Sequence, residues 1–330
     1  RPTLFEPPLP RAGQQRIDWR APSSPSAFAL AVAGAARRHD GLVLVATRDT
    51  HGAHALDAEL RIFANELPVL HFPDWETLPY DLFSPHPDIV SQRVATLYSL
   101  PATRRGVLVV PVATLMQRLS PVAFVAGNAL VVETGQHLAL DAEKRRLEAA
   151  GYRHVPQVLD PGDFAVRGAL LDVYPMGAAE PYRIELLDED IDSIRSFDPE
   201  TQRSLHKVES VRLLPAREFP LDENAARRFR NLLRERFPID PRRCPLYQDL
   251  KEGTAPAGIE YYLPLFFAAE DGARDGGTAT LFDYLADDAL CILGEGAAGA
   301  AEAFWYQTGE RYEQRRHDVE RPVLAPDELF

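Results

Sequence analysis

An arginine beside a leucine, on a segment short enough to be one strand, is the pairing in this chain best suited to gripping another molecule. It occurs in Gly162-Asp163-Phe164-Ala165-Val166-Arg167-Gly168-Ala169-Leu170-Leu171-Asp172-Val173-Tyr174-Pro175-Met176-Gly177. Pro161-Gly162 in front and Pro175 and Gly177 behind are turn residues. Read as one strand, Ala165, Arg167, Ala169, Leu171 and Val173 share a face, and Val166, Leu170 and Tyr174 share the other. A guanidinium can make a forked salt bridge and the leucine beside it can anchor an apolar contact. On spacing alone, a half-exposed strand with one snorkelling arginine is the more ordinary reading.

Other residue sets carry weaker chemistry. His51-Gly52-Ala53-His54 could ligate a metal, but no third ligand is fixed by the sequence. Asp188, Glu189, Asp190 and Asp192 could hold a cation, or simply form a solvated turn. Arg227, Arg228, Arg230, Arg234 and Arg236 on one helix could touch phosphate, or form a solvated face. Trp75, Tyr80, Phe83 and His86 sit in a proline-punctuated loop, where they could stack on bases or pack against the fold. No Ser-His-Asp or Cys-His arrangement is legible.

Composition narrows the classes. The chain has 330 residues, 45% hydrophobic and 26% charged, which suits two or three folded domains. Its net charge of -13 lacks the broad basic footprint of a protein that lives on nucleic-acid phosphates. Cys244 and Cys291 form neither a CxxC pair nor a metal spacing, which points to a reducing cytosol and a cytoplasmic protein. No apolar run reaches the roughly 18 residues of a membrane helix. No signal peptide is legible at Arg1, and the start without Met and the stop at Phe330 hint at a fragment.

The elements that must position these residues follow from periodicity. Residues 1–26 read as an extended lead-in. Ala27–Arg38, His54–Glu66 and Ile89–Leu100 have helical spacing. Leu42–Thr47, Leu67–Phe72 and Gly106–Val112 are apolar runs of strand length. Alternation of apolar strands with helices predicts a parallel sheet covered by helices. Beyond Leu119-Ser120-Pro121 the texture changes. A short strand at Val131-Val132 and a helix starting at Asp141 and ending before Gly151 precede strands at 155–159, 164–174, Tyr182–Leu187, Ile191–Phe197 and Val208–Leu214. This predicts an inserted α+β domain with a largely antiparallel sheet. Past Pro215, Glu223–Phe237 and Ala297–Arg316 read as helices, Leu281–Leu285 as a short helix and Ala289–Leu293 as a buried strand. The expected domains are 1–118, 119–212 and 213–330.

A parallel sheet split by an insert suggests a nucleotide-binding motor fold, so its fuel chemistry can be tested. The phosphate loop needs G-x-x-x-x-G-K-[ST], whose amides and lysine neutralise phosphates. No such match exists in the chain, and Ser23-Ser24-Pro25-Ser26-Ala27-Phe28 before the first helix has neither the glycines nor the lysine. After Leu290-Cys291-Ile292-Leu293 stands Gly294-Glu295-Gly296, where an Asp-Glu pair would hold magnesium. Both absences argue against ATP turnover.

Six motifs occur in a revealing order: Asp74-Trp75-Glu76-Thr77-Leu78-Pro79-Tyr80-Asp81, Ser84-Pro85-His86, Val110-Pro111-Val112-Ala113-Thr114-Leu115-Met116-Gln117-Arg118, Gly151-Tyr152-Arg153-His154-Val155, Arg167-Gly168-Ala169-Leu170-Leu171-Asp172 and Gly258-Ile259-Glu260-Tyr261. On them the chain resembles the N-terminal UvrB-like region of the bacterial transcription-repair coupling factor (Mfd) family, along essentially its whole length. The resemblance implies a degenerate RecA-like (P-loop NTPase-like) domain, an inserted α+β domain that binds UvrA, and a third domain packing on the first. It implies no enzyme in this fragment. ATP, magnesium and translocation on double-stranded DNA would belong to a motor elsewhere in the parent, as would RNA polymerase binding. An intramolecular contact with the parent's C-terminal region is compatible with it. By position, the UvrA-binding residues are Arg153 and Arg167, with Leu171 as apolar neighbour and Phe164 and Tyr174 as further candidates. The stretch Asp74–Arg93 lacks the tyrosine run of the UvrB hairpin that enters damaged DNA. The rival readings are a UvrB-like ATP-dependent DNA helicase and a regulatory scaffold restraining the parent motor.

Overall fold

The computed structural model describes residues 5–10, 14–20, 24–267 and 277–330. Residues 1–4, 11–13 and 21–23 of the expected lead-in, Ser23 included, lie outside the described residues. The strands in chain order are β1 Leu42–Thr47, β2 Val69–His71, β3 Gly106–Pro111, β4 Leu130–Glu133, β5 Arg153–His154, β6 Asp163–Arg167, β7 Leu170–Val173, β8 Tyr182–Leu187, β9 Asp190–Phe197, β10 Ser204–Val208, β11 Ser210–Leu213 and β12 Leu290–Leu293. The chain is mixed α/β and divides into two units.

The first unit comprises Arg1–Asp74, Ser99–Gln117 and Thr280–Gly309. Its sheet has the order β12-β1-β3-β2 and is parallel throughout. β1 and β3 are buried at every position, which is why they read as unbroken apolar runs. Two helices pack with the sheet, Pro25–Arg38 and Thr50–Phe63. Ser24 caps the first by accepting from the Ala27 amide, and Asp49 caps the second by accepting from Gly52. The alanines of the first helix, Ala29, Ala33 and Ala36, let it pack close to Val43 and Val45. β12 departs from the expected buried strand. It is a sheet edge, and Cys291 and Leu293 are exposed on it while Ile292 alone is buried. Its apolar sequence reflects strand propensity rather than a fully internal position.

The second unit comprises Trp75–Tyr98, Arg118–Ala279 and Glu310–Phe330. It contains a six-stranded sheet, order β10-β9-β8-β7-β6-β5, and a two-stranded ribbon of β11 and β4. All pairs in the larger sheet are antiparallel except β5 with β6. Three expectations are corrected here. The segment 163–174 is not one strand but a hairpin, because Gly168 takes φ +60 and turns the chain between Arg167 and Leu170. The strand expected at 155–159 is absent; pairing stops at His154, just before Pro156, which has no amide hydrogen to offer a ladder. The run 208–214 is cut at Glu209, and its two parts belong to different sheets.

Helix Leu140–Ala149 begins after Ala139, with Asp141 inside its first turn rather than capping it. Elsewhere in this unit, helix Glu223–Arg236 buries Ala225, Ala226, Phe229 and Leu233 in a cluster with Trp75, Tyr80, Tyr261, Tyr262 and Phe266. A buried ion pair lies in the same unit. Arg93, with no exposed surface, places Nε 2.6 Å from Glu218 Oε1, and Trp75 Nε1 donates to the same oxygen at 3.0 Å.

Candidate functional site

The six-stranded sheet decides which candidate residues meet. In register across it, Phe164, Val166, Leu171, Val173, Ile184 and Ile194 share one face, and that face is largely buried. The opposite face carries Asp163, Ala165 and Arg167 from β6, Leu170 and Asp172 from β7, and Arg183 and Glu185 from β8. Arg153 joins this second face, since it is in register with Asp163 and its guanidinium reaches that carboxylate.

Each arginine is held by a carboxylate rooted in the sheet. Arg153 Nη2 lies 2.8 Å from Asp163 Oδ1 and 3.5 Å from Asp160 Oδ2. Asp163 Oδ2 meanwhile accepts from the backbone amides of Leu159 and Asp160, fixing the loop beside it. Arg167 Nη2 donates to Asp172 Oδ2. Arg183 takes the same carboxylate with two prongs, Nε to Oδ1 at 2.7 Å and Nη2 to Oδ2 at 2.9 Å. The Arg183 guanidinium also stands 4.9 Å from the centroid of the Phe197 ring. The Asp172 side chain is fully buried, whereas the Arg153 and Arg167 side chains remain 52% and 48% exposed. Four residues of β6 separate the two registers, so the arginines stand about 13 Å apart along one strand direction.

This geometry redistributes the expected apolar neighbours. Leu171 does not flank Arg167; it is 1% exposed and points to the opposite face, beside Ile184. The hairpin turn reverses the alternation on which the expected grouping rested. Phe164 is likewise buried on that face, stacked on His154 with ring centroids 5.0 Å apart. Tyr174 is part-buried against Val158, Ala165 and Phe197, and its hydroxyl donates to the Ala179 carbonyl. Burial and the charges of Asp88, Glu180 and Asp160 hold that phenol above its ordinary pKa. Leu170, directly opposite Arg167, is the half-buried apolar side chain beside the cation. Leu170, Asp172 and Arg183 were missed. The signal was an Arg-Gly-Ala-Leu step between two apolar runs, which is also a two-residue hairpin turn.

The weaker sets find structural places. Trp75 and Tyr80 are buried, and Arg311 donates to the Pro79 carbonyl and to Asp81 beside Tyr80; Phe83 and His86 are exposed. His54 meets His71 edge-on at 4.8 Å. Of the acidic turn, Glu189 and Asp190 pair with His137 at 3.2 and 3.4 Å. On helix Glu223–Arg236, Arg236 pairs with Glu328 and Arg230 lies over the Tyr247 ring.

The site lies inside a recognisable module. Residues 130–219 match the family model of the UvrB interaction domain. The whole chain is 44% identical to the transcription-repair-coupling factor of Escherichia coli strain K12, covering 28% of that protein. Along its whole length the chain is thus similar to one part of a transcription-repair-coupling factor. The Haemophilus influenzae transcription-repair-coupling factor is also 44% identical, over 93% of this chain and 26% of its own length. That of Myxococcus xanthus is 36% identical over 74% of the chain and 21% of its own length. The chain therefore spans about a quarter of these coupling factors, and Arg153, Arg167, Asp172 and Arg183 all fall within the interaction-domain match.

Proposed function

We propose that this chain is a non-enzymatic docking module that recruits UvrA, and thereby brings excision repair to RNA polymerase stalled at DNA damage. One observation carries the reading. Inside the stretch that matches the UvrB interaction domain, two half-exposed arginines stand on one sheet face, each braced from below by a buried carboxylate. Braced guanidiniums keep free donors for a partner's carboxylates and lose little rotamer freedom on binding. Arg153 and Arg167 are the cationic anchors, with Leu170 and Tyr174 as apolar neighbours. Leu171 and Phe164 support the sheet from its other face.

The first unit's parallel sheet is read as a degenerate RecA-like domain, and the borders 1–118, 119–212 and 213–330 remain our assignment. The segment entering its first helix offers no lysine or glycine loop for phosphate. We therefore place ATP, magnesium, double-stranded DNA and polymerase contacts in other parts of the parent, an ATP-dependent translocase of the cytoplasm. No helix among the described residues is long and apolar enough to cross a membrane.

The test is UvrA binding by this chain. Arg153→Ala and Arg167→Ala should each weaken it by about 1–3 kcal/mol with an unchanged circular dichroism spectrum. Unaltered affinity in the double variant would remove the assignment. Heat of binding on titration with sub-millimolar ATP would instead favour the helicase reading.

A further inference from the structure

The arginine face has a charge gradient that the two anchors do not explain. At the β5–β6 end, Arg153 has two carboxylates within reach, Asp160 and Asp163. In the middle, Arg167 and Arg183 share the single carboxylate of Asp172. Beyond it, Arg195 of β9 lies directly opposite Arg183, and Lys207 of β10 directly opposite Arg195. Among the described residues, neither Arg195 nor Lys207 makes an ion pair or a side-chain hydrogen bond. Three cations thus stand in one row across three adjacent strands, with one shared carboxylate at the row's inner end.

Like charges directly opposite one another on a sheet are unfavourable, so the row costs this chain stability when nothing faces it. A shift in register between Ser204 and Lys207 brings the lysine into line with Arg195. Bulges at sheet edges commonly re-aim a side chain in this way. Glu185, on the same face, accepts from the Ser193 hydroxyl at 2.9 Å, and its charge acts on Arg183. Arg195 is half-buried and Lys207 exposed, so both ammonium and guanidinium heads can reach a partner.

We infer that the Arg183–Arg195–Lys207 row is a second docking subsite, which receives an acidic segment of the partner protein alongside the Arg153–Arg167 anchors. The inference rests on the UvrA-docking reading and deepens it. With a net charge of -13, the chain repels acidic partners overall, and this row is a local exception that sets the direction of approach. Cations at such a rim act on the rate of encounter more than on the lifetime of the complex.

The experiment measures association and dissociation rates of this chain with UvrA between low and high salt. Arg195→Glu and Lys207→Glu should each slow association about 3–10-fold at low ionic strength, with the difference shrinking towards high salt. Arg167→Ala should chiefly speed dissociation. Arg195→Gln, which keeps a similar shape, should give about half the logarithmic effect of the charge reversal and guards against a folding artefact. Unchanged association in the reversals, with Arg167→Ala still weakened, overturns the subsite and leaves the docking reading intact. No effect from any variant overturns both. Lys207 could instead guard an edge strand against self-pairing. Aggregation by light scattering as the sole consequence of Lys207→Glu would assign it that role. Loss of duplex DNA binding in the reversals, with UvrA rates unchanged, would make the row a phosphate surface and refute the proposal.

Discussion

Replacing Asp172 with asparagine tests the brace directly. The native carboxylate receives one hydrogen bond from Arg167 and two from Arg183. Asparagine keeps one oxygen but turns an NH2 group towards guanidinium donors. Breaking a buried ion pair by removing one partner costs about 3–5 kcal/mol. The discount comes from water: the Arg167 side chain is 48% exposed and that of Arg183 16%, so both regain some hydration. About 2–3 kcal/mol remains, which for a domain of this size lowers Tm by about 4–12 °C. Urea titration followed by circular dichroism gives the free energy, and a thermal scan the midpoint. A second variant sharpens the test. Asp172→Leu combined with Arg183→Leu removes both charges, and should be more stable than the sum of the single variants by at least about 1 kcal/mol. Asp172→Asn within about 0.5 kcal/mol of the native chain, or strict additivity in the pair, would refute the account of the brace.

Burial raises the Glu260 carboxyl from its ordinary 4.5 to about 7, despite a 2.9 Å hydrogen bond from the Ser84 hydroxyl. The folded chain then binds more protons than the unfolded one between those values, so stability falls as pH rises from about 4.5 to 7. Glu260→Gln should flatten that slope in urea titrations across the range, and an unchanged slope would count against it. Arg93→Met leaves Glu218 buried without its cation and should cost about 3–5 kcal/mol, read from urea midpoints; a loss under 1 kcal/mol would show that Trp75 and backbone groups suffice. Gly168 has open space where a side chain would go, so Gly168→Val should destabilise only through its positive φ, by about 1–2 kcal/mol, while Gly168→Asn should cost less in the same titration.

The parallel sheet of the first unit was legible because its strands are uniformly apolar: Leu42–Thr47 and the run from Gly106 need no partner information to be recognised. The arginine hairpin was not, because alternation is a local rule and a two-residue turn silently resets it. Gly168 could equally be read as a glycine inside a strand. Read that way, it puts Leu171 on the arginine's side, where the hairpin has it on the far face, and it hides Leu170 and Asp172. Arg183 was invisible for a different reason. Its place beside Asp172 is fixed by cross-strand register, which depends on a pairing between separate segments. The strand break at Glu209 and the early stop at His154 have the same origin, since apolar content marks a strand but not the sheet it joins.

The Arg93–Glu218 contact has a practical bearing on fragment work. Its arginine lies well ahead of the interaction-domain match, which starts at residue 130, and its glutamate lies inside the match, a single residue before the end at 219. Any excised piece that begins after the arginine but keeps the glutamate would carry an orphaned acid where the intact chain has a satisfied one. A free-standing interaction domain should therefore stop short of Glu218 or replace it with an uncharged side chain, and poor solubility of the naive excision would be a cloning artefact rather than a property of the domain.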